Sequence, residues 1–188
     1  MKDYFNKIDN FIKSLDKETL DLLDNISTIR EFKKNDYLLK HGSICQNSFL
    51  IKQGTVRKYH LFNGKEITTQ LLFENEIAVA FNSYTLQVPS NEIIQALSNT
   101  IVLQTNYTLF QKAKKNNPKL LQLDLMITEY YTLWLENRFI EFQTLNATQR
   151  YLHLLQKHHK VIKTVPLTII ASYLGISLET LSRIRANI

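Results

Sequence analysis

The sequence predicts an α+β fold: a helical amino terminus, an antiparallel β-rich body, one long helix and a small helical tail. Three observations carry this reading. Between Asp36 and Thr105, short segments rich in aromatic and β-branched residues recur between turn signals. From Pro118 to Phe142 no glycine or further proline interrupts a stretch with apolar residues on more than one face. From Asn146 onward the chain turns basic and its apolar residues take helical spacing.

The amino terminus, read as helical over residues 3–26, is broken by charge every few residues and lacks the apolar core of a signal peptide. The body offers "YLLK", "SFLIK", "TVRKYHLF" and "EITTQLLF" as strands, then "EIIQAL" and "TIVLQT" after a loop at Pro89. Gly42, Gly54 and Gly64 fall between the first four of these. Asn63-Gly64 is the strongest turn signal, because a type I′ hairpin needs positive φ at both central positions. After it, Ile67, Thr69, Leu71 and Phe73 alternate with Thr68, Gln70 and Leu72, which predicts a strand burying one face. Strands so short and so spaced form a small antiparallel barrel or roll.

Asn117 before Pro118 supplies an N-cap with proline at the first helical position, opening the long helix. Along it Leu123, Met126, Tyr130, Leu133, Asn137 and Ile140 are spaced 3, 4, 3, 4, 3, a heptad seam. The seam predicts a homodimer in which this helix meets its copy, with Asn137 fixing the register. Leu121, Leu125, Trp134 and Phe142 are then left to face the β body. The same spacing also fits the core of a single chain.

Composition narrows the function classes. At 44 % hydrophobic and 21 % charged, the 188 residues suit a soluble globular protein, and no apolar run is long enough for a membrane span. A single cysteine, Cys45, excludes an internal disulfide or a thiolate cluster within one chain, and the cytoplasm is the expected location. No nucleophile–base grouping, metal-ligand spacing or phosphate-cradling glycine loop appears, so no catalytic residue, metal or cofactor is expected. His153, His158 and His159 read as surface residues of a basic segment. Of the net charge of +6, most lies late: residues 146–188 hold six bases against one acid, Glu179. A basic tail on a near-neutral body suggests a polyanionic partner.

The tail segment "TIIASYLGISLETLSRI" has the residue logic of a helix-turn-helix. Ala171 allows close helix approach, Gly175 permits a left-handed exit, and Ser177 caps the next helix. Leu181 and Ile184 face inward, with Ile170, Leu174 and Ile176 as the other wall. Leu178, Glu179, Thr180, Ser182, Arg183 and Arg185 remain outward. Arg183 suits guanine O6 and N7, and Glu179 suits cytosine N4. Ser177, Thr180, Ser182 and Arg185 suit phosphate oxygens. A plainer reading pairs Glu179 with Arg183 across one helical turn, and the two readings are compatible. Double-stranded DNA is the expected partner. The alternative is a ligand-sensing or protein-interaction module whose tail does not bind DNA.

Nearly the whole chain resembles the CRP/FNR superfamily of bacterial transcription regulators. The resemblance rests on "LLKHGSICQNSFLIKQGTVRKYHLFNGKEITTQLLFENE", with glycines at the turns, and on "ATQRYLHLLQKH" followed by "PLTIIASYLGISLETLSRIR". It implies a double-stranded β-helix (jelly-roll) sensor domain over residues 1–115, a dimerisation helix over 116–145 and a helix-turn-helix over 146–188. It implies a homodimer on palindromic sites, and it allows RNA polymerase as a further partner. The short ending resembles the Bacteroidetes-type subgroup with little or no wing. The family's phosphate-binding cassette, G-E-L and then Arg-Ser beyond a short helix, places an effector pocket at Glu76, Ser90 and Asn91. Here Asn75 replaces the glycine, and Ser90-Asn91 stands where Arg-Ser is expected. Loss of that bidentate arginine weakens phosphate binding by about 2 kcal/mol or more, so tight cyclic AMP binding is not expected. With only Cys45, an iron–sulfur sensor of the FNR kind is unsupported. No effector is assigned.

Overall fold

The computed structural model describes residues 2–159 and 161–188; Lys160, one of the tail's bases, lies outside them. Two helices, α1 (Lys2–Lys13) and α2 (Lys17–Asn25), open the chain in place of one. They break at Asp16, whose carboxylate caps α2 by accepting from the Thr19 amide and pairs with Lys119.

Eight strands follow: β1 (Ser27–Phe32), β2 (Tyr37–Leu39), β3 (Asn47–Gln53), β4 (Val56–Phe62), β5 (Lys65–Leu72), β6 (Ile77–Ala78), β7 (Glu92–Ala96) and β8 (Thr100–Asn106). They form two four-stranded antiparallel sheets, β1-β8-β3-β6 and β2-β7-β4-β5. The sheets close over Phe49, Ile51, Val56, Leu72, Ile94 and Val102, with Cys45 in the same core. This is the predicted roll. Asn63 and Gly64, at φ 49° and 72°, make the β4–β5 hairpin turn. Strand β1 has no counterpart among the predicted segments. Its sequence, STIREF, buries no side chain, and the strand exists because its backbone pairs with β8 from Ser27↔Thr105 to Phe32↔Thr100.

Strand β5 corrects a second expectation. Its side chains turned toward the roll interior are Gln70 and Leu72, Thr68 and Leu71 are buried on the other face, where Leu71 belongs to the tail's hydrophobic cluster, and Ile67 is exposed. Both faces are covered, so one-face alternation does not apply. The register also shifts between Lys58↔Gln70 and Tyr59↔Thr68, which leaves Thr69 as a bulge.

Helix α3 (Phe81–Leu86) lies between β6 and β7, and α4 (Tyr107–Asn116) follows β8. Helix α5 (Pro118–Thr144) starts as predicted, with Asn117 accepting from the amides of Lys119 and Leu120. The tail is α6 (Ala147–Lys157), α7 (Val161–Thr164), α8 (Leu167–Leu174) and α9 (Leu178–Ala186). Its core joins Tyr151, Leu154, Val161, Ile170, Leu174 and Leu181 to two roll residues, Leu71 and Leu97.

The predicted seam on α5 is corrected by α1. Leu123 and Met126, 5 % and 4 % exposed, pack on Ile8, with Tyr130 at the margin of the same cluster. Asn137 donates to the Leu133 carbonyl of its own helix. Only Leu133 and Ile140 of that row are exposed apolar residues. The opposite row carries Leu121, Leu125, Thr128, Thr132, Leu135 and Phe139, also at heptad spacing. There Leu125 is 56 % exposed and Phe139 65 %. Leu121 and Leu125 therefore do not face the β body. A helix apolar on two sides satisfies two heptads at once, and spacing does not say which one its own chain covers.

Gly54 links β3 to β4 at φ 105°, where a Cβ would stand 2.7 Å from the Asn99 carbonyl oxygen and 2.8 Å from Thr100 Cα. Both neighbours are backbone and cannot rotate away. Gly54→Ala is expected to cost about 2 kcal/mol or more of stability, read by denaturant unfolding.

Candidate nucleic-acid interface and effector pocket

Gly175 ends α8 in the left-handed conformation (φ 67°), and the Ile176 amide returns to the Ala171 carbonyl at 3.1 Å. Two residues on, Ser177 Oγ accepts from the Thr180 amide at 3.1 Å and caps α9. Leu181 and Ile184 pack inward on Ile170, Ala171 and Leu174. The packing of α9 on α8 thus follows from the cap, the turn and the apolar spacing already legible in the sequence.

The opposite face of α9 is bare. Ser177, Leu178, Glu179, Ser182, Arg183 and Arg185 are exposed; Thr180 is half-buried and bonded to the Ser177 hydroxyl. Among the described residues no ion pair joins Glu179 to Arg183, and neither Arg183 nor Arg185 meets a carboxylate. The Glu179 carboxyl is held below its ordinary range by the Ser177 hydroxyl. A groove beside Arg183 is lined by Asn146 and Thr148 at the start of α6 and by Asn187. These residues were not among the predicted contacts. Their signal was present as the capping box of Asn146 and Gln149, which fixes a helix start beside the exposed face of α9.

The three residues of the expected effector pocket do not come together. Ser90 is buried with its hydroxyl bonded to the backbone of Glu92, at 2.9 Å and 3.0 Å, and Asn91 is exposed. Glu76 accepts from the Phe73 amide at 2.8 Å and lines a different cavity, with Arg138, Glu141, Arg150, His158 and Tyr173. That cavity lies between the roll and the tail. The residues immediately before α3 are Val79 and Ala80, so no carboxylate stands at the start of the short helix. The glutamate in "ENEIAVAF" had drawn the motif to itself, four residues before that helix cap.

The described residues contain no group of three or more His, Cys, Asp or Glu placed to hold a metal ion. One of the three tail histidines is packed inside: His158 stacks on Phe73 with ring centroids 4.1 Å apart, while His153 stays partly exposed with Nδ1 3.1 Å from Glu141. Burial holds the His158 imidazole below its ordinary pKa. His159 is exposed.

Residues 29–117 match the cyclic nucleotide-binding domain family. The matched segment runs from β1 to the residue before α5. Solved structures extend the likeness along most of the chain, at the level of fold. A Eubacterium rectale protein described as a transcriptional regulator of the CRP/FNR family is 17 % identical, with a TM-score of 0.73 over 93 % of this chain and 85 % of that one. The c-di-GMP responsive global regulator CLP of Xanthomonas campestris is 14 % identical, with a TM-score of 0.69 over 92 % and 91 %. The catabolite activator protein of Thermus thermophilus is 20 % identical, with a TM-score of 0.55 over 94 % and 85 %. No curated protein matches the sequence. Among the described residues no helix is long and apolar enough to cross a membrane.

Inside the roll, beside Ser90, stands a largely buried ion pair. Lys58 Nζ lies 3.1 Å from Glu92 Oε1 and donates to the Val79 carbonyl at 3.3 Å and the Tyr131 hydroxyl at 3.5 Å. Tyr131, from α5, stacks on Phe81, the first residue of α3, at 5.0 Å. The domain's interior is therefore tied to the long helix by its own side chains.

Glu76 gives this region a pH dependence. Burial pushes its carboxyl from 4.5 up to about 7, against the opposing Phe73 amide and Lys157. The folded state thus holds a proton that the unfolded chain releases, so stability falls as pH rises from 4.5 to about 7 and stays lower above. Glu76→Gln keeps an acceptor for the Phe73 amide and removes the buried charge. It is expected to unfold with about 2 kcal/mol more stability than wild type at pH 8, and with almost no difference at pH 4.5.

Proposed function

We propose that the chain is a homodimeric, sequence-specific DNA-binding transcription regulator of the CRP/FNR type. The single observation that carries the reading is the outer face of α9, a capped helix that rests on α8 and shows solvent two arginines free of any carboxylate. Arg183 reads guanine in the major groove, Glu179 reads cytosine, and Leu178 meets the base edges by apolar contact. Ser177, Thr180, Ser182 and Arg185 hold phosphates, joined by Asn146 and Thr148 beside the groove.

The second copy is met through the row Leu121, Leu125, Thr128, Thr132, Leu135 and Phe139 on α5. Apolar side chains this exposed at heptad spacing are covered by a like helix. A two-fold axis along α5 sets the two α9 helices to enter successive major grooves, about 34 Å apart, on a palindromic site. The roll acts as the sensor, but Ser90-Asn91 stands where a phosphate-pairing arginine is expected, so cyclic AMP is not its effector. The fold-level likeness to a structure described as a CRP/FNR regulator supports this reading.

Binding sites selected from random duplex DNA test the proposal. Arg183→Ala is expected to weaken binding to the selected site by about 1–3 kcal/mol and to relax discrimination at one base position. Weak binding without salt dependence would instead favour a sensing or protein-interaction module with a non-DNA tail. The double variant Leu125→Asp, Phe139→Asp is expected to scatter light with the mass of one chain while staying folded. A dimeric mass for that variant would move the interface elsewhere.

A further inference from the structure

Strand β5 is the outermost strand of its sheet, so the peptide groups on its free side lack a neighbouring strand. Helix α8 supplies the missing partner with one side chain. Ser172 Oγ accepts from the Thr68 amide at 2.9 Å and donates to the Glu66 carbonyl at 2.9 Å. A hydroxyl both accepts and donates, and it thereby stands in for the peptide unit of an absent strand. The bulge at Thr69 lies immediately beyond, where regular pairing along β5 is interrupted.

Contacts run on from this point in both directions. The Glu66 side chain pairs with buried Arg57 at 2.7 Å, and Arg57 Nε donates to Gln95 Oε1 on β7 at 3.0 Å. A line of polar contacts therefore crosses the second sheet and ends at Ser172. The two residues after Ser172 are also held. Arg138 of α5 donates to the Tyr173 carbonyl, and Arg150 of α6 donates to the Leu174 carbonyl at 3.2 Å. Three consecutive residues at the end of α8 are thus gripped by the roll, the long helix and α6 in turn. Helix α9 begins at Leu178, so its bearing relative to the roll is set here.

We propose that Ser172 is the latch that fixes the reading helix on its own roll and carries a change in the second sheet to α9. The DNA arm of the test rests on the regulator reading above; the latch itself does not. The docked tail leaves the outer face of α9 open, so the latch positions the helix and does not mask it.

The experiment follows backbone amide exchange at Thr68 in the full-length protein, for wild type, Ser172→Ala and Ser172→Thr. Alanine favours the helical conformation, so the first variant folds. Exchange at Thr68 is expected to speed up about tenfold in Ser172→Ala and to stay near wild type in Ser172→Thr, which keeps the hydroxyl. The same three proteins are then titrated with duplexes whose half-sites are moved apart by one base pair. Wild type and Ser172→Thr are expected to discriminate against the altered spacing, and Ser172→Ala to lose most of that discrimination. Equal Thr68 exchange in all three proteins would overturn the latch, as would unchanged spacing discrimination in Ser172→Ala. Faster exchange in Ser172→Ala, with no duplex binding by any of the three, would sustain the latch and overturn the regulator reading.

Discussion

Two guanidinium groups hold the corner where the long helix meets the tail, and the bearing of the tail depends on them. Arg138 lies between the rings of Phe142 and Tyr173, 4.3 Å and 3.9 Å from their centroids, and donates to the Tyr173 carbonyl. Arg150 donates to the Leu145 carbonyl at the end of α5 and to the Leu174 carbonyl at the end of α8. The last carbonyls of a helix lack partners within it, and a planar fork of donors satisfies several at once. Burial makes the charge of Arg138 costly, and the nearby Glu141 and the two ring faces offset that cost. The corner has one arrangement because each donor has a specific acceptor.

Local chemistry was the most legible part of the sequence. The type I′ turn, the Asn117-Pro118 helix start and the Gly175–Ser177 turn each need particular residue types at particular positions, and they stand where the sequence put them. What failed needed knowledge of a distant partner. Strand β1 has little strand character of its own and is made by β8. Strand β5 buries side chains on both faces because the tail covers the face turned away from the roll. The α5 row was misassigned because α1, some 115 residues earlier, takes the side that the heptad offered to a second copy. Glu76 was misplaced for a different reason: a motif was anchored on its one charged residue without the position of the helix that should follow.

Within the roll, the pair of Lys58 and Glu92 changes what the interior can accept. Two opposite charges out of water hold each other, and removing either leaves the other unpaired, a loss of about 3–5 kcal/mol. A ligand entering beside Ser90 would have to replace those contacts with equally good ones. The ties that reach α5 through Tyr131 are present in the protein itself. The roll and the long helix are therefore connected through the chain's own side chains.

The packing of α1 on α5 also bears on how the chain is made. The Tyr4 hydroxyl bonds to Glu129, 125 positions later, and Ile8 is buried against Leu123 and Met126. Emerging from a ribosome, the first helix precedes its partner by the length of the entire roll. Its apolar stripe stays uncovered through that interval, and its docking closes a loop spanning 125 positions. Helix α1 can settle on its partner only once α5 has been made.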